Sequence, residues 1–158
     1  MKDMFAALEA LTDRDPGWRD VAAASLGDLL RGTALDTDTA RLVVGRLVSL
    51  AVNEPITRVR ESALNAVSEA VNHHSLHLDL VEPLAAAMPT MEPELLGHAI
   101  YILGATHAPK ALPMVESFLE HPDRDVREEA CLAAAEITAS NPARERPEHP
   151  DPAPRQPP

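Results

Sequence analysis

The chain has 158 residues, with 25 acidic and 14 basic side chains and a formal net charge of −11 at pH 7. Its single cysteine excludes an internal disulfide and any metal site built on several cysteines. The acidic charge argues against nucleic-acid binding, which needs lysine and arginine against phosphates. Aromatic residues make up only 3%, so the core must be aliphatic and alanine-based, which favours stacked helices over a sheet sandwich.

The apolar stretches of the chain are short. Residues 1–11 carry acidic side chains, and no stretch approaches the roughly 18 apolar residues of a membrane span. We therefore expect a cytoplasmic protein with no membrane partner. The excess of arginine over lysine hints at a bacterial source with a GC-rich genome.

The first two predicted helices follow from apolar spacing. Residues 3–11 predict a short N-terminal cap with one apolar face, formed by Met4, Phe5, Leu8 and Leu11. A turn over 12–17 precedes a helix to about Leu30. We expect Trp18, the only tryptophan, to lie in the core, because it occupies the position that Val59 and Val126 fill in later helices.

Two further helices span residues 36–53 and 55–72. The first begins with the cap signal Asp36-Thr37-Asp38 and carries apolar side chains at helical spacing, namely Leu42, Val43, Val44, Leu47, Leu50 and Ala51. The loop that follows contains His73, His74 and His77, which with Asp79 or Glu82 could bind Zn²⁺ or Ni²⁺. No second histidine pair completes such a site, so we predict a solvated loop and no metal.

Carboxylates recur on the next pair of predicted helices. From Glu61 to Pro109 there is no lysine or arginine. In the helices near 79–88 and 109–121, the helical phase places four carboxylates on the exposed side, those of Asp79, Glu82, Glu116 and Glu120. We call these four residues the acidic ridge, and we predict that it faces a basic protein partner.

Residues 91–106 form an unusual helix. Glu94, His98 and Tyr101 are spaced four and three residues apart, which places them in one stripe. A carboxylate, an imidazole and a phenol could support acid–base chemistry if a pocket held them. A surface patch is the favoured interpretation, because a groove between stacked helices seldom excludes water. We therefore predict no catalytic residues and count these three as partner-binding.

The segment Pro122–Ile137 is an amphipathic helix with a thin apolar stripe, formed by Val126, Ala130, Ala133, Ala134 and Ile137. Alanine at successive turns lets helices approach closely. Cys131 lies within this helix, and we expect it to be a buried small apolar residue.

Similar helices recur along the chain. Their first apolar residues are Trp18, Val59, Leu95 and Val126, which we call the anchors, and they are 41, 36 and 31 residues apart. Such spacing is typical of a solenoid in which each repeat is about two helices.

The run Ile102–Ile137 resembles a HEAT repeat, especially the short HEAT-like repeats of the phycobilin-lyase type. The resemblance rests on Leu103-Gly104 ending one helix, on an Ala-Pro-Lys-Ala-Leu-Pro entry to the next, and on His-Pro-Asp followed by Val-Arg and spaced alanines. It implies an all-α, right-handed α-solenoid of about four helix pairs over residues 1–139. The remaining residues, 140–158, contain seven prolines and predict a disordered tail.

The sequence therefore predicts a non-enzymatic binding module without a cofactor or a small-molecule substrate: a scaffold, an adaptor or a bacterial immunity protein. The expected partner-binding residues are Asp79, Glu82, Glu94, His98, Tyr101, Glu116 and Glu120. The alternatives are that the acidic surface serves only solubility, or that the chain is a small HEAT-like enzyme or lyase relative that acts on a bound cofactor.

Overall fold

The computed structural model describes residues 2–142, and these form eight α-helices without a strand. The helices are α1 Lys2–Ala10, α2 Pro16–Arg31, α3 Thr37–Asn53, α4 Thr57–His73, α5 Leu78–Ala87, α6 Pro93–Ala105, α7 Leu112–Glu116 and α8 Arg124–Ser140. Short 3-10 turns span Met88–Thr90 and Pro109–Ala111. The predicted α-solenoid of helix pairs is confirmed. Of the predicted tail, residues 143–158 lie outside the described residues.

The helices stack in two layers. In one, which we call the even layer, α2, α4, α6 and α8 pack side by side. In the other, the odd layer, α3 packs against α5, and α1, α3, α5 and α7 each cover a helix of the even layer. The core between the layers is aliphatic, with fully buried side chains such as Leu26, Leu47, Leu64, Leu84, Ile102 and Val115. None of the described helices has the length and apolar character needed to cross a bilayer.

Small residues set the spacing within the even layer. A Cβ atom built on Gly27 of α2 would lie 3.1 Å from the Cβ of Ala66 in α4, and one built on Gly104 of α6 would lie 2.8 Å from the Cβ of Ala133 in α8. These contacts agree with the predicted use of alanine for close packing. Gly104, however, does not end its helix, because α6 continues to Ala105 and the left-handed residue that follows is His107, with φ 55°.

In three of the even helices, an arginine one residue after the anchor donates hydrogen bonds to the backbone of the segment that precedes the helix. The Nη1 of Arg19 donates to the carbonyls of Asp13 and Arg14 at 2.8 and 3.1 Å. The Nη1 of Arg127 donates to the carbonyls of His121 and Pro122 at 2.8 and 2.9 Å. In α4, the Nε of Arg60 donates to the Ala51 carbonyl at 2.8 Å. In α6 the same position is Leu96, which is buried.

The expectation that Trp18 lies in the core is wrong, because its side chain is 61% exposed. Val59 shares a helix face with Ala66, and Val126 shares one with Ala133, so each of these anchors faces the preceding helix of the even layer. Both are fully buried there. Trp18 has the same orientation on α2, the first helix of that layer, and no described residue covers it.

The expectation that Cys131 is buried is also wrong, and two residues of the predicted apolar faces are exposed. Cys131 is exposed because it lies on the outer side of α8, about 100° around the helix from buried Ala130. Phe5 and Leu42 are 58% and 55% exposed, on the outer sides of α1 and α3. Apolar spacing alone does not show whether a neighbouring helix covers a given apolar residue.

The helix predicted over 109–121 is interrupted. A continuous helix would need a hydrogen bond from residue 113 to the carbonyl of Pro109, but Pro113 has no N–H to donate. The chain instead forms the 3-10 turn, then α7, which ends at Glu116, and then turns over 117–120.

Candidate functional site

A groove with a volume of about 780 Å³ lies between the N-terminal halves of α6 and α8. We call it the α6–α8 groove. Its lining comprises Glu92, Pro93, Glu94, Gly97, His98, Tyr101, Asp123, Asp125, Val126 and Glu129. Both helices enter it with their first turns, so acidic residues at helix starts are brought side by side.

Local sequence explains these two helix starts. Pro93 occupies the first turn of α6, where no backbone donor is needed. Asp123 caps α8, and its side chain accepts hydrogen bonds from the backbone N–H groups of Asp125 and Val126 at 2.9 and 3.2 Å. Glu94 and Asp125 each precede an anchor by one residue, and the stacking of the repeats therefore places them on neighbouring helices.

The groove is strongly acidic. Five of its ten lining residues carry carboxylates, and no lysine or arginine lines it. Among the described residues, none of these five carboxylates forms a salt bridge. At the corresponding position of α4, Arg58 pairs with Asp20 of α2, with Nε and Oδ2 3.0 Å apart. The unpaired negative charge is therefore specific to the α6–α8 step of the stack.

Glu94, His98 and Tyr101 all line this groove, so the structure places the predicted stripe together. Tyr101 also donates a hydrogen bond from its hydroxyl to the side-chain carbonyl of Asn72 in α4. The phenol ring is half-buried and fixed across two helices. A fixed aromatic ring among carboxylates can bind a cationic side chain through both its face and the surrounding charge.

Gly97 widens the groove. A Cβ atom built there would meet nothing within 4 Å, in contrast to those at Gly27 and Gly104. Glycine inside a helix costs roughly 0.5–1 kcal/mol relative to alanine, and no neighbouring helix requires it at this position. The missing side chain leaves room for a ligand to approach the backbone of α6.

Glu129 is a half-buried carboxyl of the groove. Burial raises its pKa, and the nearby Glu136 carboxylate raises it further. Because the folded-state pKa is raised, ionised Glu129 destabilises the fold at neutral pH, and this penalty disappears as the pH falls below the ordinary glutamate value of about 4.3.

Replacing Glu129 with glutamine is therefore expected to raise the melting temperature slightly at pH 7 and to leave it unchanged at pH 4. Thermal unfolding followed by circular dichroism at both pH values measures this. Glu128→Gln is the control on the same helix, since Glu128 is exposed and pairs with Arg124 at 2.8 Å. A melting temperature of Glu129→Gln that falls at pH 7 would contradict the assigned burial penalty.

The acidic ridge is less continuous than its helical phase predicts. Glu82 lies 3.4 Å from the Nζ of Lys110, which neutralises part of its charge. Asp79 is exposed on α5 and lines a shallow hollow with Arg41. Glu116 ends α7 and Glu120 lies in the turns beyond it, so these two carboxylates do not share a helix face.

The histidines of the α4–α5 loop have separate contacts. A ring nitrogen of His74 lies 2.9 Å from the Leu30 carbonyl, and His73 lies 3.6 Å from Glu69 within α4. His77 is exposed at the start of α5. In residues 2–142, no three side chains of histidine, cysteine, aspartate or glutamate come together in a way that could hold a metal ion.

Four acidic groove residues and Gly97 are absent from the site predicted from sequence. Glu92, Asp123, Asp125 and Glu129 belong neither to the predicted stripe of α6 nor to the acidic ridge. The equivalent repeat positions of Glu94 and Asp125 could have indicated that they are neighbours. Glu129 follows Asp125 by four residues, which places it on the same side of α8.

Comparison with known proteins identifies the repeat. A family model described as HEAT repeats matches residues 81–146. The Hsp70 nucleotide exchange factor FES1 of Coccidioides immitis (strain RS) is 33% identical over 94 residues, which cover 58% of this chain and 44% of that relative. The chain thus spans less than half the length of the curated relative. HEAT repeats indicate a protein-interaction scaffold.

Solved structures show the same architecture. The crystal structure of an engineered protein superposes with a TM-score of 0.65 at 20% identity, over 87% of this chain and 63% of that one. A designed armadillo repeat protein has a TM-score of 0.59 at 13% identity, over 83% of this chain and 63% of that one. At such identities the likeness shows the fold alone.

Proposed function

Because this chain is a HEAT-repeat protein, we propose that it is a non-enzymatic protein-binding module whose α6–α8 groove holds a basic segment of a partner protein. The observation that carries the proposal is the set of five carboxylates in the groove, which have no ion-pair partner among the described residues. An arginine or lysine from a partner would supply the missing positive charge.

The shape of the groove supports an extended or helical peptide rather than a small substrate. Gly97 leaves room for close approach to α6, and Tyr101 offers a ring to a cationic side chain. The acidic ridge on the odd layer would extend the same negative field to a larger basic partner. The proposed setting is the cytoplasm, where the module would act as a scaffold, an adaptor or a bacterial immunity protein.

Charge reversal in the groove tests this proposal, with an arginine nonapeptide as the probe in fluorescence anisotropy. Glu94→Lys with Asp125→Lys is expected to weaken peptide binding at least tenfold, because two central carboxylates become repulsive. Asp3→Lys with Asp38→Lys is the matched control: these are also exposed first-turn acids, of α1 and α3, so charge and helix-end effects are the same.

The second measurement is the dependence of peptide affinity on salt concentration. The wild-type affinity should fall between about 0.1 M and about 1 M salt, where the Debye length shrinks from about 10 Å to about 3 Å. A third variant, Glu116→Lys with Glu120→Lys, reports the contribution of the ridge. Equal binding by the groove and control variants, or undiminished binding at high salt, would show that the acidic composition serves only solubility.

A second candidate function follows from the 33% identity to the exchange factor: an action on an Hsp70. It predicts that the chain accelerates release of a fluorescent nucleotide from an Hsp70, whereas a scaffold or immunity protein would leave that rate unchanged. The scaffold, adaptor and immunity roles can be separated by affinity capture followed by mass spectrometry. The informative protein is one that the wild type captures and the groove variant does not. The alternative of a small HEAT-like enzyme requires turnover that depends on His98 or Tyr101.

A further inference from the structure

Exposed apolar side chains lie at both ends of the even layer. On α2, Trp18 and Val21 are 61% and 55% exposed and lie three residues apart on one side of the helix. On α8, Leu132 is 65% exposed, and Cys131 and Ala135 beside it are also exposed. Terminal repeats of a solenoid ordinarily present polar outer faces. The outer sides of α2 and α8 instead expose apolar side chains, as surfaces that pack against another helix do.

The interior of the stack shows how two such faces fit together. An alanine seven residues after the anchor of one even helix packs on a glycine nine residues after the anchor of the preceding one, as in Ala66 on Gly27 and Ala133 on Gly104. At the α4–α6 step these two positions are Ser68 on α4 and Ile102 on α6. The preceding helix thus offers the receiving position and the following helix the inserting one.

The two end helices, α2 and α8, each present one half of this interface, and no described helix packs against it. Ala135 lies nine residues after Val126, so α8 presents the receiving position with a small, exposed side chain. Ser25 lies seven residues after Trp18, so α2 presents the inserting position, also small and exposed. Trp18 itself stands where Val59, Leu95 and Val126 are buried against a preceding helix.

We propose that a second copy of this chain docks head to tail, with the Trp18 side of α2 in one copy against the Ala135 side of α8 in the other. The contact would continue the packing already present within the even layer. A second copy is favoured over an unrelated partner because the two faces are the two halves of one interface that the chain builds internally. Such a head-to-tail contact leaves one face of each copy free in a dimer, so longer chains of copies should follow dimers.

Charge permits this contact even though each copy is strongly acidic. On the outer side of α8, Arg124 and Glu128 pair with each other at 2.8 Å and leave no net charge. The facing side of α2 carries Trp18, Val21 and Ser25, and this stripe ends at Asp28, which forms an ion pair with Arg31 at 3.7 Å. Self-association should therefore be apolar in character and should strengthen with salt, which screens the repulsion between copies. Binding of a basic peptide in the α6–α8 groove should instead weaken as salt is added.

Two measurements on the full-length chain test the proposal. Sedimentation velocity from about 1 µM to about 200 µM, a range in which weak interfaces dissociate, should show dimers and longer species as concentration rises. The emission maximum of Trp18, the only tryptophan, should move to shorter wavelength over the same range as the ring becomes buried. A chain that stays monomeric with unchanged emission would overturn the proposal, including the case in which residues 143–158 cover the face.

Complementary variants test the geometry. Trp18→Glu and Ala135→Glu should each abolish or weaken association by roughly 30-fold or more, as expected for a central interface position. Each keeps one intact end, so an equimolar mixture should form dimers and nothing longer. Leu42→Glu, the same kind of change on the odd layer, should associate like wild type. Val21→Glu replaces Trp18→Glu if that variant fails to fold. A mixture that remains monomeric, or a wild-type oligomer insensitive to these changes, would contradict the head-to-tail contact.

Discussion

The Gly104→Ala variant is expected to lose roughly 1–3 kcal/mol of unfolding free energy, the usual cost of overpacking a tight core contact. The new Cβ atom would lie 2.8 Å from the Cβ and 3.0 Å from the Cα of Ala133. The second of these atoms belongs to the backbone of α8 and cannot move aside like a flexible side chain. The two helices must therefore separate, and the side chains around Val126 and Ile137 would lose contacts.

Gly97→Ala is the matched control in the same helix, seven residues earlier. Its new Cβ atom would meet nothing within 4 Å, so the change should stabilise α6 by up to roughly 0.5–1 kcal/mol through the higher helix propensity of alanine. Urea unfolding followed by circular dichroism measures both variants. A Gly104→Ala variant that is stabilised as Gly97→Ala is would contradict the close contact between α6 and α8.

Glu54→Ala should also destabilise the fold, by roughly 1–3 kcal/mol, because hydrogen bonds to a charged group are lost in a nearly buried place. The side chain of Glu54 is only 3% exposed. Its two oxygens accept hydrogen bonds from Nε and Nη2 of Arg19 at 2.7 and 2.9 Å, and one of them also accepts from the backbone N–H of Ile56 at 3.0 Å. One carboxylate thus connects α2 to the α3–α4 turn.

The same contact predicts a pH dependence. Hydrogen bonding from Arg19, together with the Ile56 N–H, holds the pKa of Glu54 below its usual value. Its contribution to stability is therefore present above the ordinary glutamate pKa of about 4.3 and is lost as the pH falls below it. The difference in unfolding free energy between wild type and Glu54→Ala should be large at pH 7 and should shrink toward pH 3.

Glu69→Ala, which breaks the more exposed pair with Arg31, should cost much less. A difference independent of pH would show that packing, and not the ion pair, is responsible.

The periodicity of the sequence predicts the fold correctly, but it does not predict which side chains are exposed at the ends of the even layer. The anchors Val59, Leu95 and Val126 are buried as predicted, because each has a preceding helix to pack against. The predicted burial of Trp18, which has the same helical phase, is wrong. Helical phase tells which side of a helix would face a neighbour but not whether that neighbour exists. The Arg19–Glu54 pair joins residues 35 positions apart, and no local pattern in the sequence connects them.

The candidate site was predictable on one helix only. Helical spacing correctly placed Glu94, His98 and Tyr101 in one stripe of α6. The opposite side of the groove comes from α8, where Asp123 and Asp125 also serve as ordinary helix-start residues, so their second position beside α6 depends on the stacking of repeats. The ridge is less continuous than predicted because α7 ends at Glu116, so Glu120 lies in the turns beyond the helix.

The stacking of helices against immediate neighbours also determines how the chain opens. α4 packs against α2, α3 and α6, whereas α8 rests on α6 and the short α7. In an array of this kind stability is approximately a sum of local and nearest-neighbour contributions, so opening need not involve the whole molecule. Slow amide exchange should therefore be concentrated in α4. The α8 side of the groove should exchange earlier, and a ligand that bridges α6 and α8 would protect amides well beyond the residues that it touches.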